Sequence, residues 1–283
     1  MSTPITLQLR NDADRVDAFF LETMRARLNI PARLRESIEY SFLAGGKRLR
    51  PALVLECARA VNGDSAPSRS ALAAAVAIEL VHTFSLVHDD LPAMDDDDLR
   101  RGKLTNHKVF GEGMAILAGD AMMTLAFEII ATDAEPDVAM PLVRELARAA
   151  GPEGMIGGQV LDMAGQNLAL ALDGLQRVHR MKTGAMMTAS CRLGGIASNA
   201  TDTQLAALAD YGNHLGLAFQ IIDDILDLTA TPEQLGKATN KDERRGKNTY
   251  PKLLGLEESR TAVQNELEAA MRALDVFGAR AET

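Results

Sequence analysis

The stretch SRSALAAAVAIELVHTFSLVHDDLP, residues 68–92, decides the fold class. Ala, Leu, Val and Ile dominate it, and Ala and Leu lose little rotamer freedom in a helix. Pro92 stops the pattern, because proline lacks the backbone donor and its ring clashes with the preceding turn. The expected element is one long helix from about Ser68 to Asp90, ending in two adjacent carboxylates. The same helical period recurs along the chain, and strand-like alternation is almost absent. Helices are predicted over about 11–29, from Pro31 to about Phe42, and over about 51–61, 112–132, 136–149, 153–169, 174–198, 202–228 and 251–276. Gly45–Gly46 breaks the second of these. Asp95–Lys103 reads as a short helix or turn passing into a loop, and 229–250 as a polar loop.

Composition agrees with an all-α reading. Trp is absent, aromatic residues make up 4% and hydrophobic residues 47%, enough for a large core. No internal repeat and no Pro/Ser-rich linker divides the 283 residues, so one large helical bundle spanning 1–283 is expected. The net charge of −9 argues against general nucleic-acid binding. The N-terminus lacks the basic start and apolar core of a secretory signal. No uninterrupted apolar run approaches the roughly 20 residues that cross a bilayer. A soluble, cytoplasmic protein is therefore expected, without a membrane partner. Cys57 and Cys191 lack metal-ligand spacing and read as small buried residues of a reducing compartment.

Two aspartate clusters carry the chemistry: DDLPAMD, residues 89–95, and DDILD, residues 223–227. Each closes a long apolar helical run. Carboxylates crowded this closely repel one another unless cations neutralise them. Oxygen-only sites of this kind suit a hard ion such as Mg²⁺, which takes one or two carboxylates plus substrate phosphates. Asp223 and Asp227, a helical step of four, stand about 40° apart and about 6 Å along the axis, and so share a face. Asp224 points about 100° away and reads as support for the site. Asp89 and Asp95, six residues apart, would not share a face on a continuous helix, but a turn at Pro92 can fold Asp95 back toward Asp89.

Basic groups accompany the acids. Arg100 and Arg101 follow the first cluster, with Lys103 nearby, and the guanidinium fork suits phosphate oxygens. Lys47 and Arg50 come after the flexible Gly45–Gly46 pair. Lys182-Thr183-Gly184 lies inside a helical stretch, an unusual place for glycine unless something approaches closely. His82 sits two turns before Asp89 on nearly the same side, where it could donate to a diphosphate or serve as a core histidine. His88 faces elsewhere and reads as structural, and His107, His179 and His214 form no metal-ligand spacing. Met122, Met123, Met186 and Met187 read as core, or as the wall of an apolar tunnel.

GGKRLRP, LVHDDLPAMDDDDLRRGK, HRMKTGA and FQIIDDILD, in this order, resemble the trans-isoprenyl diphosphate synthases, most of all the short-chain farnesyl and geranylgeranyl type. The resemblance covers about Tyr40 to Leu256. It implies an all-α bundle around a deep central cavity, usually a homodimer. The implied reaction condenses isopentenyl diphosphate with dimethylallyl or geranyl diphosphate. By resemblance, Asp89, Asp95 and Asp223 hold Mg²⁺, three ions in all, with Asp90 and Asp227 assisting directly or through water. Arg100, Lys182, Lys237 and Lys247 would contact the allylic diphosphate. Lys47, Arg50, His82 and Arg101 would form the isopentenyl diphosphate pocket, and Thr183 and Gln220 would place oxygen dipoles near the allylic cation. The resemblance also suggests the departing diphosphate as the final base.

Product length hinges on Phe84, five residues before Asp89 and so about 7.5 Å deeper along the helix. An aromatic here resembles the farnesyl-forming members, and Phe84 with Ser85 is assigned the chain-length role. HKVFGE, residues 107–112, resembles plant-type geranylgeranyl enzymes instead, which keeps a C20 product as the alternative. A class I terpene cyclase shares the ionisation chemistry, but its second metal motif is usually not a second aspartate cluster. A squalene or phytoene synthase would have no use for the second, smaller diphosphate pocket. A noncatalytic subunit of a heteromeric synthase tends to lose one aspartate motif, and both are intact. Members of that family usually continue into another C-terminal helix, whereas this sequence ends at VFGARAET soon after the last predicted one; the Gly-, Lys- and Thr-rich stretch 229–250 reads as a closing lid or a disordered polar loop.

Overall fold

The computed structural model describes residues 4–63, 66–165, 168, 170–229 and 248–281. Residues 230–247, which include Lys237, Lys247 and nearly all of the expected lid, lie outside the described residues. The chain divides into two compact units. One comprises Met1–Val143 with Ile196–Asn199, and the other Arg144–Gly195 with Ala200–Glu282. Nearly every described element is a helix.

The first unit begins with α1 (Pro4–Ala26), α2 (Ala32–Phe42), α3 (Leu49–Asn62) and α4 (Arg69–Asp89). Ser68 caps α4, its hydroxyl accepting from the Ala71 amide at 3.1 Å. Every side chain from Ala73 to Ile78 is fully buried. α4 is therefore the core helix of this unit and packs most extensively on α6 (Glu112–Asp133). Ala115, Ala118 and Ala126 on α6 let the two backbones approach closely, while Met122, Ile129 and Ile130 fill the remaining space. Phe20 and Phe42 stack with ring centroids 3.8 Å apart and bind α1 to α2.

A two-stranded hairpin stands where the sequence suggests a short helix or turn: β1 (Leu99–Arg100) pairs antiparallel with β2 (Lys103–Leu104). Its two connecting residues, Arg101 and Gly102, both have positive φ (53° and 76°), the condition for a tight primed turn. The short α5 (Asn106–Phe110) leads into α6, and α7 (Pro136–Ala150) follows and crosses the boundary between the units.

In the second unit, α8 (Met155–Gly165) and α9 (Leu172–His179) precede a single π-turn, Arg180–Gly184, and α10 (Ala185–Ala197). The helix predicted over 174–198 is thus continuous in direction but widened by one residue at the motif Lys182-Thr183-Gly184. α11 (Asp202–Thr229) carries the second aspartate cluster. The single helix expected over 251–276 is broken at Gly255 (φ 92°) into α12 (Tyr250–Leu254) and α13 (Leu256–Ala273), with a 3₁₀ segment, Leu274–Ala281, beyond. Leu175, Leu217, Ile221 and Tyr250 form a buried cluster of α9, α11 and α12. Met122, Met186 and Met187 are fully buried, which settles them as core rather than tunnel wall, and both cysteines are buried too.

α4 and α6 are each long and apolar enough to cross a bilayer, with mean hydropathy 1.7 over their most apolar windows. In α4 that window is 78% buried, so its apolarity serves the core; in α6 the share is only 44%.

Arg48, between the site candidates Lys47 and Arg50, is a structural cation. It is 4% exposed and donates to Glu79 at 3.0 Å and to the Phe42 carbonyl at 2.6 Å, with Asp17 at 2.8 Å. Glu79 is itself buried in the middle of α4. Breaking a buried ion pair leaves an uncompensated charge and typically costs about 3–5 kcal/mol. Glu79→Ala should therefore lower stability by about 3 kcal/mol in urea unfolding, far more than the loss of an exposed glutamate.

Candidate active site

In the first unit the chain after α4 folds back on itself. The Asp95 amide donates to the Asp89 carbonyl at 2.7 Å, and the Met94 and Asp96 amides both donate to the Leu91 carbonyl. Asp96 takes a positive φ of 52° to complete the turn. Two carboxylates six positions apart, which a straight helix would splay, thus stand at the two ends of one backbone hydrogen bond. Asp89 and Asp95 are both part-exposed there. Asp90 behaves differently. It is 2% exposed and accepts from Arg100 Nε and Nη2 at 2.5–2.9 Å, locking β1 against the end of α4. The described structure thus gives Asp90 to a cation on its own chain.

Burial disfavours the charge on Arg100, but the Asp90 hydrogen bonds and the carboxylates of Asp90, Asp97 and Asp89 more than offset this, so its pKa is raised. For Arg50 and Arg101 the balance runs the other way. Burial lowers both, the Glu79 carboxylate offsets only part of that, and repulsion is added by Arg101 at Arg50 and by Arg48 and Arg100 at Arg101. Arg50 Nε is buried without a hydrogen-bond partner. Arg101 donates to the Gly45 carbonyl, and its guanidinium lies over Gly46, where a Cβ would come within 2.6 Å of Cζ. Gly46 thus makes room for the arginine. Burial first, then Arg50, Arg101, Arg100 and Arg48, push the His82 imidazole well below the usual 6.5, so it is neutral at pH 7. Lys47 is exposed. Cations gathered with so little carboxylate compensation mark a place built for an anion.

In the second unit the uninterrupted helix α11 keeps Asp223 and Asp227 on one face, both part-exposed, with Gln220 one turn earlier. The Gln220 side-chain oxygen accepts from the Thr183 hydroxyl. Lys182 Nζ lies 2.6 Å from Asp162 Oδ2 on α8. The π-turn that presents Lys182 and Thr183 is wedged between glycines. A Cβ on Gly158 would overlap the Lys182 backbone, and one on Gly216 would come within 2.9 Å of Gly184 Cα. The close approach suspected at Gly184 is the backbone of α11. Asp162 escaped the sequence reading; its one advance signal was the Gly157–Gly158 pair one turn earlier in a helix.

Asp224 has a structural task. Its buried carboxylate accepts from the Tyr250 amide at 2.9 Å and lies 3.3 Å from His179 Nε2, while the His179 and Tyr250 rings stack. The middle aspartate of DDILD thus ties α9 and α12 to α11. Asn248 makes a second anchor, accepting from the Leu170 amide and donating to the Leu168 carbonyl. Among the described residues no three His, Cys, Asp or Glu side chains are gathered closely enough to hold a metal ion alone. The oxygen donors present still fit Mg²⁺, which keeps several ligand positions for water and phosphate.

The all-α fold and the paired acidic and basic motifs define a class of enzymes acting on diphosphates. A family model described as polyprenyl synthetase matches residues 31–276, and the chain belongs to that family. It is 49% identical over 260 residues to a farnesyl diphosphate synthase of Geobacillus stearothermophilus, covering 89% of this chain and 86% of the relative. It is 45% identical over 256 residues to the chloroplastic geranylgeranyl pyrophosphate synthase 11 of Arabidopsis thaliana, covering 86% and 71%. A crystal structure of a Helicobacter pylori geranyltransferase, complexed with magnesium and isoprenyl diphosphate, superposes with a TM-score of 0.84 at 33% identity, covering 99% of this chain and 93% of that one. The chain is accordingly a short-chain prenyltransferase.

Two outcomes follow from this geometry. The unfolded chain takes up the His82 proton near pH 6.5 and the folded chain only at lower pH, so stability falls as pH drops below about 6.5. His82→Gln should flatten that part of the curve, read as urea midpoints at pH 7.5 and 5.5. Asp224→Ala should strip the Tyr250 amide of its acceptor, at a cost of about 1–3 kcal/mol, and speed its hydrogen exchange more than that of amides in α4.

Proposed function

We propose that the protein is a farnesyl diphosphate synthase: it condenses isopentenyl diphosphate with dimethylallyl or geranyl diphosphate to the C15 product. The observation that carries this reading is the cluster of Arg50, Arg101 and neutral His82, which has the charge for a second diphosphate besides the one addressed by the aspartates. A protein that only ionised one allylic diphosphate would need no such cluster. The 49% identity to a farnesyl diphosphate synthase supports the product, while the 45% identity to a plant geranylgeranyl enzyme keeps C20 as the second reading.

In this reading Asp89, Asp95 and Asp223 would hold Mg²⁺, three ions in all, with Asp90 and Asp227 assisting directly or through water. Bound Mg²⁺ would neutralise the charge that develops on the departing diphosphate. The protein's own groups do the rest. Lys182 exchanges its Asp162 partner for a diphosphate oxygen, and Arg100, Lys237 and Lys247 bind the same head group. Arg100 can donate outward because Asp90 fixes its fork from behind. Arg50, Arg101, Lys47 and His82 hold isopentenyl diphosphate, whose alignment with the allylic carbon is largely an entropic task. Neutral His82 donates a hydrogen bond without adding a fifth positive charge to the arginines. Thr183 and Gln220 turn oxygen dipoles toward the allylic cation, and the proton lost at the end goes to the departing diphosphate. The family match runs through both units, which supports one catalytic domain over the whole chain.

Phe84, 7% exposed and one turn above His88, sets the floor under the growing chain, with Ser85 beside it. The protein works as a homodimer. α6 matches α4 in apolarity yet is far less buried, and it exposes Ile116 (45%) and Leu117 (58%) beside a groove of about 610 Å³ lined by Leu28, Leu34 and Leu125. A second copy covering that face would account for its apolarity without a membrane, which supports the reading of a soluble enzyme working in the cytoplasm.

The test uses radiolabelled isopentenyl diphosphate with each allylic starter, followed by chromatography of the dephosphorylated products. C15 alcohol should dominate with geranyl diphosphate. Asp89→Ala and Asp223→Ala should each lower turnover by at least about 10³-fold with the helical circular dichroism unchanged. Near-normal turnover in either variant would remove the metal role of that cluster. Phe84→Ala should extend the product past C15.

A further inference from the structure

His88 is the residue on which the placement of Phe84 depends, and the proposed reaction gives it no task. Its ring is held on three sides. His88 Nε2 lies 3.1 Å from the Ile116 carbonyl on α6. A carbonyl only accepts, so Nε2 carries the hydrogen and donates. One turn further along α6, Gly119 leaves a notch that the imidazole fills: a Cβ on Gly119 would overlap Nε2, Cδ2 and Cε1 of His88 at once. On its remaining side the imidazole meets Phe84, with ring centroids 5.6 Å apart and planes at 82°, an edge-to-face contact.

Phe84 and His88 are four residues apart on α4, so their side chains lie one above the other on a single helix face. The contact runs in one direction of control. His88 is pinned by a hydrogen bond and a backbone notch on another helix, whereas Phe84 has only packing to hold its ring. A phenyl ring with an open side can change χ1 and yield to pressure; one buttressed by a fixed imidazole cannot without evicting it.

We propose that His88, seated in the Gly119 notch, is a positioning residue for product length: it holds the Phe84 ring as a rigid stop, and Gly119 is the residue that permits this. The inference rests on the reading of Phe84 as the floor of the chain-length pocket and adds what makes that floor stiff. It is separate from the metal role of neighbouring Asp89, because what His88 controls is where elongation ends rather than how fast each step proceeds.

The experiment compares wild type with His88→Ala, His88→Gln, Gly119→Ala, Phe84→Ala and the double variant Phe84→Ala/His88→Ala. Each full-length protein is given geranyl diphosphate and labelled isopentenyl diphosphate, and the readout is the C20:C15 product ratio at matched conversion. His88→Ala and Gly119→Ala should each raise the ratio by about fivefold or more, a change of about 1 kcal/mol in partition between release and elongation. His88→Gln, whose amide can still donate to the Ile116 carbonyl, should stay near wild type. The double variant should match Phe84→Ala, since a buttress without its ring has nothing left to hold. If His88→Ala slows turnover but leaves the product ratio unchanged while Phe84→Ala lengthens the product, the proposal fails and the floor stands. If Phe84→Ala also leaves the ratio unchanged, the floor reading fails and takes the proposal with it. Gly119→Ala fills a tight contact in the α4–α6 packing; should it not fold, the comparison of His88→Ala with His88→Gln decides alone.

Discussion

Charge held at the ends of apolar helices has to be balanced before any ligand arrives, and this constraint organises both units. A buried carboxylate or guanidinium without a partner costs several kcal/mol, so the chain supplies partners from within. Arg48 answers Glu79 in the middle of α4, Arg100 answers Asp90 at its end, and Lys182 answers Asp162 on α8. These pairs differ in exposure, and the difference separates a cation sealed in the core from cations open to a ligand. The Arg48 and Glu79 side chains are each 3% exposed, and the pair has no route to a ligand. Arg100 and Lys182 keep 32% and 29% of their side chains in solvent, so a phosphate oxygen can reach them from the open side.

The same bookkeeping explains why two arginines and a histidine stand apart. Arg50 and Arg101 are disfavoured by burial and by neighbouring arginines, Arg101 at Arg50 and Arg48 with Arg100 at Arg101, and the Arg50 Nε has no acceptor. A folded protein keeps such an arrangement only where rigid surroundings enforce it, and here the left-handed turn at Arg101 and the glycines at 45 and 46 do so. Bringing a doubly charged head group to this cluster relieves strain already present. That is the electrostatic logic of a preorganised anion site, in which the protein bears the cost of assembly during folding rather than during the reaction.

Helix periodicity made most of the fold legible, because an all-α chain writes its core in one repeating pattern. The fold of Asp95 back to Asp89 was legible as well, since Pro92 can do little else at the end of α4. What escaped the sequence was local backbone geometry set by neighbours. The π-turn at Arg180–Gly184 exists because glycines 158 and 216, on two other helices, let their backbones press in; no periodicity within 174–198 encodes it. The hairpin at Leu99–Leu104 is only two residues per strand, too short for alternation to register. Asp224 was legible as the odd member of DDILD from its angle on the helix, but its partners, His179 and the Tyr250 amide, come from segments 45 and 26 residues away. Asp90, read as assisting the metal-binding aspartates, also accepts from Arg100, and adjacency in the motif gave no hint of that partner.

Glycine placement then links fold to specificity. Gly46 makes room for the Arg101 guanidinium, Gly158 and Gly216 for the Lys182–Thr183 turn, and Gly119 for the His88 ring. In each case the missing Cβ is opposite a residue to which the proposed reading gives a chemical or positioning task. Alanine in those places would be preferred by helix propensity by about 1 kcal/mol. Gly119, Gly158 and Gly216 all lie within helices and so forgo that gain. The stability given up at these positions is the physical counterpart of side chains held at fixed angles, and a prenyltransferase needs such angles because its product is defined by where a flexible hydrocarbon is made to stop.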